Sequence, residues 1–317
     1  MSKCLSNVIK SVGSIYVSSC KSIYENLALE EWLFRNHDLE KFGELALFWS
    51  NYPAVVIGRH QNPFLEANVK FIDENGIDFA RRHSGGGTVY HGFGNLNISL
   101  LTTHKNHCRP RNLQWIAGVI NENLVLNLIA TKRDDIVFPD ERKVSGTAAR
   151  IARGRAYHHL TLLINEDLDI LRQSLNSPFK NRITTNATQS VPAKHVGQIS
   201  QQVEGITVDE VKNLLVDSFK TKFERTTVTN VNSLSEVSFP GINKTQEELL
   251  SWEWRFAKTP RFILDNIIRV ENGLIKESSN SKYVVGSQFY PISNDISIHH
   301  EQEHQQQKSN KTGHLLS

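Results

Sequence analysis

Arg81-Arg82-His83-Ser84-Gly85-Gly86-Gly87-Thr88-Val89-Tyr90-His91 is the stretch on which the reading of this chain turns. Three consecutive glycines stand between two arginines and a Tyr-His pair. Glycine loses more backbone freedom on ordering than any other residue, so such a run makes sense where a second strand or a ligand must approach the backbone closely. The flanking cations make an anionic ligand the natural candidate; the plainer reading is a glycine-rich hairpin with surface arginines. The phosphate loops of fixed spelling are excluded. No lysine follows as a P-loop needs, and Tyr90 takes the third glycine position of Gly-x-Gly-x-x-Gly. Ser84 lacks the upstream glycine of the Gly-x-Ser-x-Gly nucleophile elbow, where Arg82 stands.

Outward from this run, Ile77–Arg82 and Asn95–Leu101 read as strands, the second with Leu96, Ile98 and Leu100 alternating with Asn95, Asn97 and Ser99. Upstream, residues 23–35 have helical periodicity, and Leu45–Trp49 and Ala54–Ile57 are short apolar runs separated by Asn51-Tyr52-Pro53. Downstream, Leu113–Ile129 reads as a helix, and Asp134–Phe138 and Tyr157–Ile164 as strands. Thr207-Val208-Asp209-Glu210 is a capping box before a helical run to Phe223, and a second box spans Thr245 to Glu248. Phe262–Glu271 and Gly273–Lys276 read as a strand pair. Hairpin-like strands mixed with helices predict an α+β fold with a largely antiparallel sheet.

The 317 residues carry a net charge of +3 and 39% hydrophobic residues, which suits a globular protein and does not indicate a nucleic-acid partner. Three cysteines without pairing or metal spacing favour a reducing compartment. No apolar run approaches the ~18 residues that span a bilayer, so no membrane partner is expected. Residues 1–21 contain no acidic residue and are rich in serine and lysine, which describes an organelle transit segment. The competing reading is a first strand around Ile15-Tyr16-Val17. From Asp295 the chain is polar, and 295–317 reads as a disordered tail. There His300-Glu301-Gln302-Glu303-His304 spells a zinc-protease motif, but no apolar face exists to hold it as a rigid helix, and no metal site is predicted. His158 and His159 are adjacent on a strand, point to opposite faces and cannot chelate one metal together.

A second informative segment is Glu141-Arg142-Lys143-Val144-Ser145-Gly146-Thr147-Ala148-Ala149. It sets a cation beside small residues against which a ligand can lie, and Lys143 can neutralise a phosphate or polarise a carbonyl. The plainer reading is a surface lysine before a tight turn. Arg133 and the turn Asn186-Ala187-Thr188 flank it in sequence.

Taken in order, these pieces resemble the lipoyltransferase and lipoate–protein ligase family, in wording most like its animal mitochondrial lipoyltransferase branch. The resemblance rests on Val55–Pro63, the Arg81–His91 run with Gly94-Asn95-Leu96-Asn97, Lys143–Ala148, Tyr157–Leu163, Phe239–Asn243, Trp252-Glu253-Trp254 and Lys258-Thr259-Pro260. It covers roughly residues 22–265. It implies a biotin/lipoate protein ligase-like fold, with a catalytic domain over 22–257 and a shortened accessory region over 258–294. It also implies a reaction: a lipoyl or octanoyl group, carried as an acyl-adenylate, passes to a lysine of an acceptor protein.

Site roles follow from the same resemblance. Lys143 is the catalytic candidate. Arg82, Ser84, Gly85, Gly86, Gly87 and His91 would line the acyl and phosphate channel, and Tyr90, Arg133, Thr161, Thr188 and Ser190 would hold the adenylate. An apolar tunnel for the acyl chain is required. Lipoyl-AMP is expected as substrate with no tightly bound cofactor; ATP and Mg belong only to the alternative of a full lipoate–protein ligase. The implied partners are lipoyl domains of 2-oxoacid dehydrogenase E2 subunits and the glycine-cleavage H protein, with the enzyme a mitochondrial monomer. A third alternative is a protein that binds lipoyl domains without catalysis. One departure stands out: the family usually has Asp after the Tyr-His pair, where this chain has Gly92.

Overall fold

The computed structural model describes residues 10–296. Its central sheet has six strands in the order β12 (Phe223–Val231), β1 (Lys10–Ser18), β2 (Glu44–Trp49), β6 (Asn95–Thr103), β10 (Arg155–Leu163) and β9 (Ser145–Ala152). β1 runs parallel to both of its neighbours, and the remaining pairs are antiparallel.

Strand alternation divides the apolar residues between two cores. Ala46 and Phe48 of β2, with Leu96, Ile98 and Leu100 of β6, pack against helices α4 (Arg109–Leu124) and α6 (Val208–Lys220). Leu45, Leu47 and Trp49 face the other way, toward α1 (Ile23–Asn36) and α7 (Ile242–Leu250). Asn95, Asn97 and Ser99 share that second face and are buried there, so the polar half of the β6 alternation faces the interior.

A second sheet, β4 (Asp78–Arg81), β3 (Ala54–Ile57) and β5 (Val89–His91), carries the glycine run between its outer strands. Beneath it lie the short helices α2 (Pro63–Glu66), α3 (Val69–Glu74) and α5 (Leu168–Ser174). A two-stranded ribbon, β7 (Ile129–Ala130) with β8 (Ile136–Val137), precedes Lys143. The last sheet orders β11 (Ile183–Thr185), β13 (Phe262–Leu264), β14 (Ile268–Glu271) and β15 (Leu274–Ser278), followed by helix α8 (residues 289–296).

Several local expectations change. Lys10–Ser18 is a sheet strand, so of the two readings of that segment the strand is the observed one; what the transit reading claimed of residues 1–9 lies outside the described residues. The helix expected over 113–129 begins at Arg109, because Pro110 suits a first turn. It ends where Val125 turns left-handed (φ 52°), and the Asn121 side chain then holds both backbone groups of Leu128.

Thr245 caps nothing. It lies inside α7, and the Glu236 carboxylate accepts from the Gly241 and Asn243 amides instead. The strand expected over 134–138 shrinks to β8, and the pair expected after Phe262 is three strands, since Asp265 and Asn266 adopt positive φ and turn the chain. Residues 258–294 do not stand apart: β11 joins their sheet, and Phe262, Leu264, Ile268 and Phe289 share a core with Val55, Ile57 and Phe64. Asp295 and Ile296 end α8, while the His300–His304 motif and the rest of the tail fall outside the described residues.

Candidate active site

The two arginines that open the glycine run are both buried, at 0% and 3% exposure. Arg81 donates to the carbonyls of Gln61 (2.8 Å), Arg59 (3.1 Å), Trp254 (3.0 Å) and Arg255 (2.8 Å), and to Thr259 Oγ1 (3.0 Å). Trp254 Nε1 donates back to the Arg81 carbonyl at 2.7 Å. One guanidinium therefore ties together three motif pieces far apart in sequence. Arg82 donates to Ser84 Oγ (2.9 Å) and to the carbonyls of Val56 (3.0 Å), Gly85 (2.6 Å) and Gly87 (2.7 Å). Burial pulls Arg81 down to about 9 and Arg82 to about 10, so both stay charged at neutral pH.

This corrects the part of the reading in which the two arginines offer their donors to an anion. The planar fork of each arginine is consumed by carbonyl oxygens, and two of those carbonyls belong to the glycines themselves. Close approach explains Gly58 and Gly87, while an added Cβ at Gly85 would meet open space. A Cβ on Gly58 would lie 2.2 Å from the Gly86 carbonyl oxygen, and one on Gly87 would lie 3.0 Å from Ser190 Oγ. Gly86 takes φ 87°, which only glycine adopts without strain.

The candidate site lies beside the run. A cleft of about 540 Å³ is walled by Tyr90 of β5, Lys143 and Gly146 at the start of β9, Thr161 of β10, Leu171 of α5, and Ser190. A narrow slot of about 30 Å³ runs between the sheets, lined by Leu27, Trp49, Val56, Ala148 and Leu160, with Arg82, His91 and His159 among its polar members. The two cavities share Val89, Gly146 and Thr161. Gly146 makes the junction: a Cβ there would meet Val89 Cγ1 at 3.0 Å and Thr161 Oγ1 at 3.1 Å.

Lys143 is held firmly by its backbone. Its amide donates to His195 O (3.0 Å) and its carbonyl accepts from Gly197 (2.9 Å). Its Nζ lies 2.5 Å from Asp135 Oδ1. Ser190 is fixed by Thr88 N (2.8 Å) and Gln61 Nε2 (3.0 Å), and it also bonds the buried Glu66 carboxylate. Tyr90 is 4% exposed, and burial, with Glu166 and Asp167 adding to it, raises its phenol well above the ordinary value. It therefore remains a neutral hydroxyl.

Along the slot, His159 Nε2 lies 2.9 Å from Ser84 Oγ, and His159 Nδ1 lies 3.0 Å from Glu30 Oε1. His158 points the other way, toward Asn112 of α4, as adjacent strand residues must. His91 Nδ1 lies 2.9 Å from Asn51 Nδ2, and Asn51 in turn bonds Asn26 of α1.

Of the expected site residues, Tyr90, Lys143, Thr161 and Ser190 converge on the cleft, and Arg82 and His91 line the slot. Ser84 and Gly85–Gly87 lie behind the walls as support, lining neither cavity. Arg133 and Thr188 are exposed and line neither. Sequence reasoning missed Asp135, Glu66, Glu30 and the role of His159. Gln61, inside the quoted Val55–Pro63 piece, was the one visible signal among these supports.

Comparison with known proteins identifies the family to which this α+β fold belongs. The lipoyl protein ligase A/B catalytic domain matches residues 22–220. The human protein named lipoyl amidotransferase LIPT1, mitochondrial, is 39% identical over 260 residues, 81% of this chain and 69% of its own length. A putative lipoate-protein ligase A of Schizosaccharomyces pombe is 35% identical over 261 residues, 77% of this chain and 71% of its own. The crystal structure of P. falciparum LipL1 in complex with lipoate aligns with TM-score 0.67 and 26% identity, covering 83% of each chain. Lipoate-protein ligase A bound with ATP shares the fold at TM-score 0.58 and 21% identity, over 77% of this chain and 96% of its own. This chain belongs to the lipoyl protein ligase A/B catalytic-domain family.

Proposed function

We propose that the protein transfers a lipoyl or octanoyl group from an acyl-adenylate to the ε-amine of a lysine on lipoyl-domain proteins. The observation that carries this reading is the placing of Lys143 on the wall of a roomy cleft, lined by apolar and polar side chains together, that meets a narrow apolar slot at Gly146. The slot, which must widen from about 30 Å³ to admit it, takes the acyl chain, where each buried CH₂ is worth ~0.8 kcal/mol. The cleft takes the adenylate, with Tyr90 and Thr161 as its hydroxyl donors and Ser190, whose proton goes to Glu66, on its wall.

Lys143 acts at the junction between them. The acceptor amine attacks the acyl carbonyl carbon, and negative charge develops on the carbonyl oxygen. Lys143 Nζ stabilises that oxygen and the departing phosphate. The bond from carbonyl carbon to phosphate oxygen then breaks, AMP leaves, and the amine proton passes to water. Arg172 and Lys180 on the cleft wall suit acceptors that are acidic around their lysine. The acceptors are the lipoyl domains of 2-oxoacid dehydrogenase E2 subunits and the glycine-cleavage H protein, and the enzyme works in mitochondria as a monomer.

The test is mass spectrometry of a lipoyl domain incubated with the protein and lipoyl-adenylate, and separately with lipoate and ATP. The acceptor should gain one lipoyl amide in the first reaction and none in the second. Modification in the ATP reaction would replace the transferase reading with the ligase one, and no modification in either would remove both.

A further inference from the structure

Gly92 follows the Tyr-His pair of β5, and its missing side chain has been replaced from elsewhere in the chain. A Cβ built on Gly92 would lie 2.3 Å from Glu166 Oε1 and 2.6 Å from Glu166 Oε2. Glu166 comes from the turn between β10 and α5, on the far side of Gly94. That turn and the Gly92–Gly94 turn are locked together, since the amides of Ile164 and Asn165 both donate to the Gly94 carbonyl, at 2.9 and 3.1 Å. The Glu166 carboxylate therefore occupies the volume into which a side chain at position 92 would project.

The placement is costly and built. Glu166 is 8% exposed. Its Oε1 accepts from the Asp167 amide at 3.0 Å, while Oε2 is buried without a hydrogen-bond partner. Burial pushes the carboxyl up, against the pull of the Asp167, Gly92 and Gly94 amides. A buried carboxylate oxygen without a partner is destabilising, and packing alone would favour an apolar side chain there. Its field reaches the cleft, because Glu166 is the charge that adds most to burial in raising the Tyr90 phenol.

We propose that Glu166 is a positioning residue of the acyl-adenylate cleft, supplying from the β10–α5 turn the carboxylate that the family pattern carries directly after the Tyr-His pair. It sets the Gly92–Gly94 turn, and through it the β5 segment that presents Tyr90 to the cleft. Two positions distant in sequence have exchanged one carboxylate. This rests on the acyl-adenylate reading of the cleft.

The exchange is reversible by mutation. Four proteins are compared: wild type, Glu166→Ala, Gly92→Asp and the double variant. Each is assayed for transfer from lipoyl-adenylate to a lipoyl domain, for lipoyl-adenylate affinity by calorimetry, and for melting temperature. Glu166→Ala should raise KM for lipoyl-adenylate about tenfold with kcat held within about threefold, the pattern of a lost binding geometry. Gly92→Asp alone should do at least as much damage, because two carboxylates then crowd one site. The double variant should return to within about threefold of wild type, a coupling that independent sites do not show.

An unchanged KM in Glu166→Ala, or a double variant no better than the worse single, overturns the inference. If melting falls but affinity does not, Glu166 is structural only and the inference is also wrong. Wild type that binds lipoyl-adenylate without transferring overturns the function reading while the affinity cycle still decides this one. Wild type that neither binds nor transfers overturns both.

Discussion

Lys143 Nζ and Asp135 Oδ1 are joined by an ion pair of 2.5 Å between β8 and the start of β9, with the two side chains 27% and 23% exposed. A partly exposed pair of this kind is worth about 1 kcal/mol or less. Asp135 can therefore aim the lysine and still release it to a phosphate. Lys143→Ala should lower kcat for transfer by about 10²-fold or more, the scale of losing one oxyanion donor. Asp135→Asn should lower it by about tenfold or less, since charge and donor remain. Single-turnover transfer from lipoyl-adenylate measures both, and a larger loss in Asp135→Asn than in Lys143→Ala would contradict the assignment.

Ala148 lines the slot and is 6% exposed. Ala148→Leu should fill the slot without touching Lys143. Each CH₂ of chain that can no longer enter forfeits ~0.8 kcal/mol. Transfer of octanoyl and lipoyl groups should fall, with butyryl transfer spared. A kcat/KM series over acyl-adenylates of increasing length reads this directly, and a uniform loss at every length would place the chain elsewhere.

Arg82 spends its donors on Ser84 and three backbone carbonyls. Arg82→Lys keeps the charge but loses the fork, leaving buried carbonyls without donors. Urea unfolding should show a loss of about 3 kcal/mol, within the range for breaking a buried charged network. A change under about 0.5 kcal/mol, the scale of a neutral surface substitution, would mean that the run is held some other way.

Gly58 and Gly118 make a paired control. Gly58→Ala would drive a Cβ into the Gly86 carbonyl and should cost about 2 kcal/mol, as overpacking does. Gly118 lies inside α4 with nothing within 4 Å of an added Cβ, so Gly118→Ala should stabilise by about 0.5–1 kcal/mol. Melting temperatures should move in opposite directions.

His83, His91 and His158 are each held down to about 3, by burial first and then by Arg150, Arg82 and His159 respectively. Their folded values lie below the ordinary unfolded value of about 6.5, so the unfolded chain takes up protons first as pH falls. The stability they confer is complete above about pH 6.5 and drains as pH falls toward 3, at about 1.4 kcal/mol per pH unit for each histidine. His158→Gln should flatten the fall between pH 6 and 5 by about one proton's worth relative to wild type. Equal slopes in the two proteins would show that His158 is not held neutral.

The apolar run Leu45–Trp49 and the alternation in Asn95–Leu101 were enough to predict an α+β sheet, because strand period and burial are local properties. Lys143 beside Ser145-Gly146 was legible for the same reason: small residues next to a cation mark a place where a ligand can lie. Thr245 misled because a capping box is a spelling that several helix positions can carry, and only the Glu236 carboxylate's reach to the Gly241 amide decides which end is capped. Arg133 and Thr188 carried the expected chemistry in the expected order, yet both are exposed and line neither cavity.

By itself the sequence determined the family and the fold class, since each is encoded in residue types at short spacing. Only the tertiary structure decided what the Arg81–His91 run does. Arg82 satisfies the carbonyls of Gly85 and Gly87, and Arg81 those of Gln61, Arg59, Trp254 and Arg255, because a buried guanidinium must find acceptors and these carbonyls are brought within its reach. The same holds for Gly92, whose side-chain space is filled by the Glu166 carboxylate from a distant turn. Neither pairing has a sequence period, because both arise where separate strands are brought within hydrogen-bond reach.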